Sequence, residues 1–211
     1  PVLAQAPPAT ATERVIVTGS HIRQIDGEEA LPVQVITRAE IDRSGATTVE
    51  QLLERVPAHV NAVNLSSSVG DVTRPGLSSA NLRGLGGGAT LVLLNGRRLA
   101  NYAFDGEVVD LNAIPLAAVE RVEILKDGAS AIYGTDAIAG VVNFILRKDY
   151  VGAQIATHLA VTQRGGGDAG QLSLGIGVGE PARDGYNLFA SIALHKQRPL
   201  RASERDFART G

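Results

Sequence analysis

The span from Val119 to Arg147, VERVEILKDGASAIYGTDAIAGVVNFILR, constrains the fold more than any other part of the chain. Val119, Val122, Ile124 and Leu125 are apolar, whereas Glu120, Arg121, Glu123 and Lys126 carry charges of both signs. That mixture predicts a strand buried beside a polar wall. Asp127-Gly128 breaks it, Gly134 and Gly140 punctuate the next stretch, and Val141 to Leu146 resumes an extended pattern. A second span, NLRGLGGGATLVLLNGRRL from Asn81 to Leu99, runs from a glycine-rich stretch into an apolar strand, Leu91 to Leu94. Asn95-Gly96 then gives the strongest short hairpin signal in the chain.

Around these spans the pattern is mixed. Pro32 to Ile36 reads as a strand. Thr37 to Glu40 is a capping box opening a short helix that Gly45 ends. Thr47 to Glu50 reads as a second capping box, with Val49, Leu52, Leu53 and Val56 on the apolar face of a helix stopped by Pro57. Residues 64–80 and 100–112 read as loops, the second carrying two aromatics. Short strands mixed with two short helices predict an α+β domain of roughly 130 residues.

Beyond Tyr150 the composition changes. Ile155, Thr157, Leu159 and Val161 alternate with Gln154, Ala156, His158 and Ala160. Leu172, Leu174, Ile176 and Val178 alternate with Gln171, Ser173, Gly175 and Gly177. Leu188, Ala190, Ile192 and Leu194 alternate with Asn187, Phe189, Ser191 and His195. Three segments of about ten residues, apolar on one side and polar or small on the other, match transmembrane barrel strands. A soluble antiparallel sheet gives the same alternation. No run approaches the roughly 18 apolar residues of a membrane helix, so any membrane contact must be made by strands.

The chemistry-bearing motifs are few. A net charge of −2 and scattered arginines argue against a nucleic-acid surface. The chain has no cysteine, so disulfides and thiolate metal sites are excluded. Gly84 to Ala89 fits the dinucleotide fingerprint G-x-G-x-x-A, but that fingerprint needs a helix after it, and TLVLLNG reads as a strand. Gly128-Ala129-Ser130-Ala131-Ile132 lacks the closing glycine of a nucleophile elbow. The four histidines form no ligand pair, and Asp105, Glu107 and Asp110 match no calcium loop. No enzyme activity, cofactor or metal is expected.

The two spans at 81–99 and 119–147 resemble the plug domain of TonB-dependent outer-membrane receptors, and the likeness covers about residues 13 to 150. The resemblance implies an α+β plug, a small mixed sheet with short helices, followed by antiparallel strands of a 22-stranded outer-membrane barrel. It implies a flexible lead at 1–12, a TonB box at 13–19, a plug at 20–150 and the first barrel strands at 151–211. Three strands cannot close a barrel, since open edges in lipid leave backbone groups unsatisfied. The chain is therefore expected to be an N-terminal fragment with a truncated barrel. It has no methionine, so residue 1 is not expected to be a translation start, and Ala4-Gln5-Ala6 fits the tail of a signal peptide.

Site residues come from the same resemblance. Glu13, Arg14, Val15, Ile16, Val17, Thr18 and Gly19, a β-branched run in a polar tail, would recruit the energy-coupling protein TonB by adding a strand to a sheet edge. The plainer reading of this run is an ordinary first strand. Arg83, in Asn81-Leu82-Arg83-Gly84, would help hold plug to barrel wall, as would Glu120, Arg121, Glu123 and Lys126. Asn101, Tyr102, Phe104 and Asp105 would touch a small nutrient ligand, unless the two rings simply pack on the plug. The expected function is energy-coupled uptake of an iron chelate, vitamin B12 or an oligosaccharide. The expected partners are TonB, that ligand and outer-membrane lipid, in a Gram-negative outer membrane with the plug facing the periplasm. The alternatives are a soluble nucleotide-binding enzyme using the Gly84–Ala89 loop, and a stand-alone periplasmic plug-like binding module.

Overall fold

A computed structural model describes residues 33–60, 76–104, 106–126, 130–163, 165–199 and 201. Five strands form one mixed sheet: β1 (Val33–Ile36), β2 (Thr90–Leu94), β3 (Arg97–Arg98), β4 (Val119–Leu125) and β5 (Gly140–Leu146). Their spatial order is β1-β4-β5-β2-β3. β4 runs antiparallel to β1 and β5, whereas β2 lies parallel to β5, with Leu91 opposite Val141 and Leu93 opposite Asn143. The Asn95-Gly96 hairpin forms as the sequence predicts, with both residues at positive φ (50° and 77°) and Leu94 paired to Arg97.

Both faces of this sheet are covered. On one side Val92, Val122, Ile124, Val142 and Phe144 pack against helices α1 (Arg38–Ser44) and α2 (Val49–Leu53) through Ile41, Val49, Leu52 and Leu53. On the other, Leu91, Leu93, Leu125 and Val141 meet Ala137 and Tyr133. Those two belong to the segment of α3 (Ser130–Tyr133) and the tight turn after it. A strand covered twice reads as a continuous apolar run, which is why β2 and β5 lack alternation.

Helix α1 begins and ends as its sequence requires. The Thr37 hydroxyl and the Glu40 side chain form the capping box, and Gly45 closes the helix at φ 67°. The second capping box sits one residue later than expected. Thr48, not Thr47, is the N-cap and accepts from the Gln51 amide (3.2 Å), while Gln51 Oε1 accepts from Thr47 N and Oγ1. Gln51 at the third helical position therefore does what Glu50 was expected to do. Nor does α2 run to Pro57. It ends at Leu53, and Val56 is placed by a tight turn donating to Leu53 O (2.9 Å), since the residue before a proline resists helical backbone.

The described end of the first predicted loop is buried rather than exposed. Leu77, Ser78, Ser79, Ala80, Asn81 and Leu82 all lie in the interior. Their backbone is satisfied by specific partners: Ser78 O accepts from Leu111 N, Asn81 O from Val60 N, and Leu82 N donates to Thr90 Oγ1 (2.9 Å). After the glycine-rich stretch the chain makes a short 3-10 turn, Gly87–Ala89, and enters β2, with no helix to receive a phosphate.

A second sheet comes next, with β6 (Gly152–Ala160), β7 (Ala169–Val178) and β8 (Leu188–Gln197) antiparallel in sequence order. A short helix α4 (Pro181–Asp184) lies between β7 and β8. One face carries Ile155, Leu159, Leu172, Leu174, Ile176, Leu188, Ile192 and Leu194, all exposed; Leu159 is 81% exposed. The opposite face, with Gln154, His158, Gln171, Ser173 and His195, turns toward the five-stranded unit. There Gln171 Nε2 donates to Thr47 O (2.9 Å). Gly177 is needed on this face because a side chain would run into the Tyr150 carbonyl.

Two glycines test this packing. Gly140 sits at φ 134°, and a Cβ there would press on the Leu125 carbonyl and come within 2.8 Å of Leu82 Cδ1. Gly140→Ala is expected to cost at least about 2 kcal/mol in denaturant unfolding. Gly45→Ala meets open space at φ 67° and should cost about 1 kcal/mol. Equal costs would mean that crowding at Gly140 is relieved by movement of β4.

His59 pairs with Leu82 through an isolated bridge, and its Nε2 is buried without a partner among the described residues. Burial holds its pKa below the ordinary 6.5, opposed by the Ser79 backbone hydrogen bond and the charge of Glu54. The folded chain thus keeps it neutral where the unfolded chain takes a proton. Stability from this site is complete above about pH 6.5 and falls with acid until the depressed native pKa is reached. His59→Gln should flatten that part of the stability–pH curve, measured by urea midpoint.

Candidate functional site

The charged residues of β4 divide by face. Arg121 and Glu123 share one face, and Arg121 Nε donates to Glu123 Oε1 at 2.9 Å. Glu123 is only 1% exposed, and its other oxygen accepts from Asn143 Nδ2 at 3.3 Å across the β4–β5 pairing. Asn143 Oδ1 accepts in turn from Gly96 N (2.9 Å), so one polar chain ties β4, β5 and the hairpin tip together. A second asparagine finishes the joint, Asn95 Oδ1 accepting from Leu146 N (2.9 Å). Lys126 is half-buried just past the end of β4.

Glu120 faces the other way, toward Arg147 Nε at 3.7 Å. The sequence pattern does not single out Arg147, yet this residue joins the two sheets. Its side chain is 6% exposed, donates to Gln154 Oε1 on β6 (2.9 Å), and lies 4.8 Å from the Tyr150 ring centroid. Its only sequence signal is its place as the first charge after an apolar strand. Arg83 stands at φ 56° and donates to the carbonyls of Ala139 (3.2 Å) and Ile138 (2.7 Å), at the entry to β5.

Beyond the hairpin, the loop holding Asn101, Tyr102 and Phe104 is closed by its own bonds. Asn101 Nδ2 donates to Gly106 O (2.6 Å), Tyr102 N to Val108 O, and Gly106 N to Tyr102 O. The Tyr102 and Phe104 rings stack at 6.4 Å, with Phe104 72% exposed. Asp105, like the segment Glu13–Gly19, lies outside the described residues. Next to this loop an open cleft of about 590 Å³ is lined by Arg98, Asn101, Glu107, Val108 and Asp136. Arg98 pairs with Asp136 and donates to the Tyr133 carbonyl, and this guanidinium holds the Asp136 carboxyl below its usual range.

A family model of the TonB-dependent receptor plug domain matches residues 27–141, more than half of the chain. The chain belongs to that family. The plug is the five-stranded unit, and β6–β8 are antiparallel strands packed beside it. A mutant of the ferric enterobactin receptor PfeA from Pseudomonas aeruginosa, in complex with enterobactin, is similar at 25% identity and TM-score 0.58. That match covers 82% of this chain and 26% of that one. The siderophore receptor PirA from Acinetobacter baumannii shares the fold at 21% identity and TM-score 0.57, over 78% of this chain and 24% of its own. The ferric citrate transporter FecA, unliganded, shares it at 21% identity and TM-score 0.61, over 78% and 25%. The chain spans about a quarter of the length of these structures. The covered share of this chain exceeds even residues 1–141 taken together, so the likeness extends past residue 141.

The buried carboxylate supplies a test of the plug's interior. Glu123→Ala leaves Arg121 and Asn143 facing a void and is expected to cost about 3 kcal/mol in chemical unfolding. Glu120→Ala, at the plug surface, should stay within about 0.5 kcal/mol. Similar small losses at both positions would show that Glu123 carries no structural charge pair.

Proposed function

We propose that the chain forms the plug and opening wall strands of a TonB-dependent outer-membrane receptor that takes up a scarce nutrient, with an iron chelate as substrate class. The observation that carries this reading is the two-faced sheet β6–β8. Its polar and small face is turned to the plug, and its large aliphatic side chains point away from the protein. A barrel wall wants that arrangement, with lipid outside and a polar lumen inside. A water-soluble module would leave the same face as a large apolar patch. The substrate class is that of the ferric enterobactin and ferric citrate proteins that share the fold.

In this reading residues 1–12 are a lead, 13–19 a TonB box, 20–150 the plug and 151–211 the first strands of the barrel. The receptor sits in a Gram-negative outer membrane with its plug toward the periplasm. Asn101, Tyr102, Phe104 and Asp105 meet the ligand from the plug side, the stacked rings giving a flat apolar surface. Arg83, Glu120, Arg121, Glu123 and Lys126 hold the plug in register with the wall, some through bonds inside the plug and others through barrel groups. No covalent chemistry is involved; TonB pulls on the plug to open a path.

The coupling segment gives the test. Val17→Pro removes a backbone donor from a strand-adding segment. In the complete receptor it is expected to abolish energy-dependent uptake of a labelled ferric chelate while leaving surface binding intact. Full uptake by this variant and by Val15→Pro would remove the coupling role from residues 13–19. Binding of no iron chelate by the wild-type receptor would remove the substrate class and leave the family standing.

A further inference from the structure

We propose that the cleft between the plug–wall link and the β7–β8 turn holds the headgroup of a zwitterionic phospholipid of the ethanolamine class, an inference that rests on reading β6–β8 as wall. The link, residues 147–151, and the turn that carries α4 stand at the same end of the sheet, because Gly152 pairs with Gly177 and Val178 with Leu188. Asn187 fastens them together. Its Nδ2 donates to the Tyr150 carbonyl (3.0 Å) and to the Gly179 carbonyl (2.7 Å). The Tyr150 ring meets Phe189 edge-on at 5.6 Å, and a Cβ at Gly177 would collide with the Tyr150 carbonyl. The fold therefore sets the two lips of the cleft before any ligand arrives.

This open cleft has a volume of about 690 Å³, inside the roughly 300–1,000 Å³ of small-molecule sites. On its wall Arg183 and Asp184 answer each other at 2.9 Å, and Asp184 Oδ2 also accepts from Glu180 N (2.9 Å). Lys148, Asp149 and Glu180 line it as well, and among the described residues none of these three side chains has an ion-pair or hydrogen-bond partner. The cleft thus offers one uncommitted cation and two uncommitted anions. A headgroup carrying a phosphate and a primary ammonium answers both signs through charge-assisted hydrogen bonds, phosphate toward Lys148 and ammonium toward the carboxylates. A glycerol headgroup brings the phosphate alone and leaves the carboxylates facing an anion. A choline headgroup brings a cation with no N–H to donate.

Apolar surface reaches the lip of this cleft. Val178 and Leu188 stand opposite each other in the last pair of β7 and β8, both exposed on the aliphatic face. Val151, exposed too, lines the cleft itself. Tyr186, also exposed, packs so closely on Gly179 that a Cβ there would meet its ring and its carbonyl, and Gly179 is part of the cleft wall. A barrel marks the membrane surface with aromatic residues at the ends of its apolar band. Tyr186 stands at such an end, so the mixed charges of the cleft lie at headgroup level. Acyl chains on the aliphatic face and a headgroup in the cleft are then parts of one bound molecule.

The test offers the complete receptor in detergent equal amounts of phosphatidylethanolamine, phosphatidylglycerol and phosphatidylcholine with the same chains, and counts retained lipid by native mass spectrometry. The ethanolamine lipid should be retained about fivefold over either of the others, as for one charge at a membrane surface. Lys148→Gln should lower its retention about fivefold. The pair Asp149→Asn, Glu180→Gln should level it with the choline lipid. Lys196→Gln, at the far end of β8, should change nothing; all four substituted side chains are exposed, so the fold is spared. Equimolar soluble glycerophosphoethanolamine should leave the lipid in place, since it lacks the chains. The proposal is overturned if wild type shows no preference, if the preference survives both the Lys148 and the carboxylate variants, or if the soluble headgroup displaces the lipid. The need for detergent is scored separately. A receptor that stays soluble without it ends the wall reading and the site together, whereas one that needs detergent but shows no preference loses only the site.

Discussion

Strand β5 is bonded along both edges, antiparallel to β4 and parallel to β2, and the plug is organised around it. Val141, Val142, Asn143 and Phe144 are buried, and their side chains feed both apolar clusters. A strand enclosed this way cannot satisfy polar side chains with water. Its single amide, Asn143, accordingly bonds to Glu123 on one side and to the hairpin tip on the other. The pairing of β2 with β5 fixes the depth of the hairpin, and the β4 pairing fixes where Arg121 and Glu123 lie. Misplacing β5 by one residue would turn every one of these side chains to the wrong face.

Much of this was legible because it depends on local rules. The Thr37 capping box, the Asn95-Gly96 turn and the alternation from 152 to 197 each rest on a few neighbouring residues, and each formed as expected. The misses have a common cause in interactions that span the chain. Nothing near Thr90 says that β2 will run parallel to a strand some fifty residues on. The composition of residues 64–80 reads as loop, yet residues 77–80 are buried, with the Ser78 backbone bonded to Leu111 N and Asp110 Oδ1. Thr47 and Thr48 look alike as caps, and only the reach of the Gln51 amide chooses between them. Arg147 joins the plug to β6 through Gln154 and lies over Tyr150, partners that a local pattern cannot name. The expected site residues are scattered in a similar way. Arg121 and Glu123 come together, whereas Arg83 binds the entry to β5.

The two halves of the chain meet across a seam quite unlike their interiors. The plug core is largely aliphatic, but the contact with β6–β8 carries the Gln171–Thr47 and Arg147–Gln154 hydrogen bonds between open cavities. Such a seam sacrifices apolar burial in exchange for separability. Few direct bonds need breaking, and the polar groups on each side can be hydrated when it opens. The aliphatic side chains are kept for the outer, exposed face of the same strands.

The position of β1 has a mechanical consequence. It is the first described strand in the chain and also an edge strand, held to β4 by four register pairs, while β5 is gripped on both sides. Tension applied from the N-terminal side of Val33 is carried by β1 before it reaches any other described strand. A strand held along one edge only thus lies nearest the load, and strands held along both edges lie behind it. A pull on the N-terminal side would peel the sheet from its edge and stall at β4 and β5, so the plug has a built-in order of yielding. A modest extension would free a short length of chain without dismantling the core.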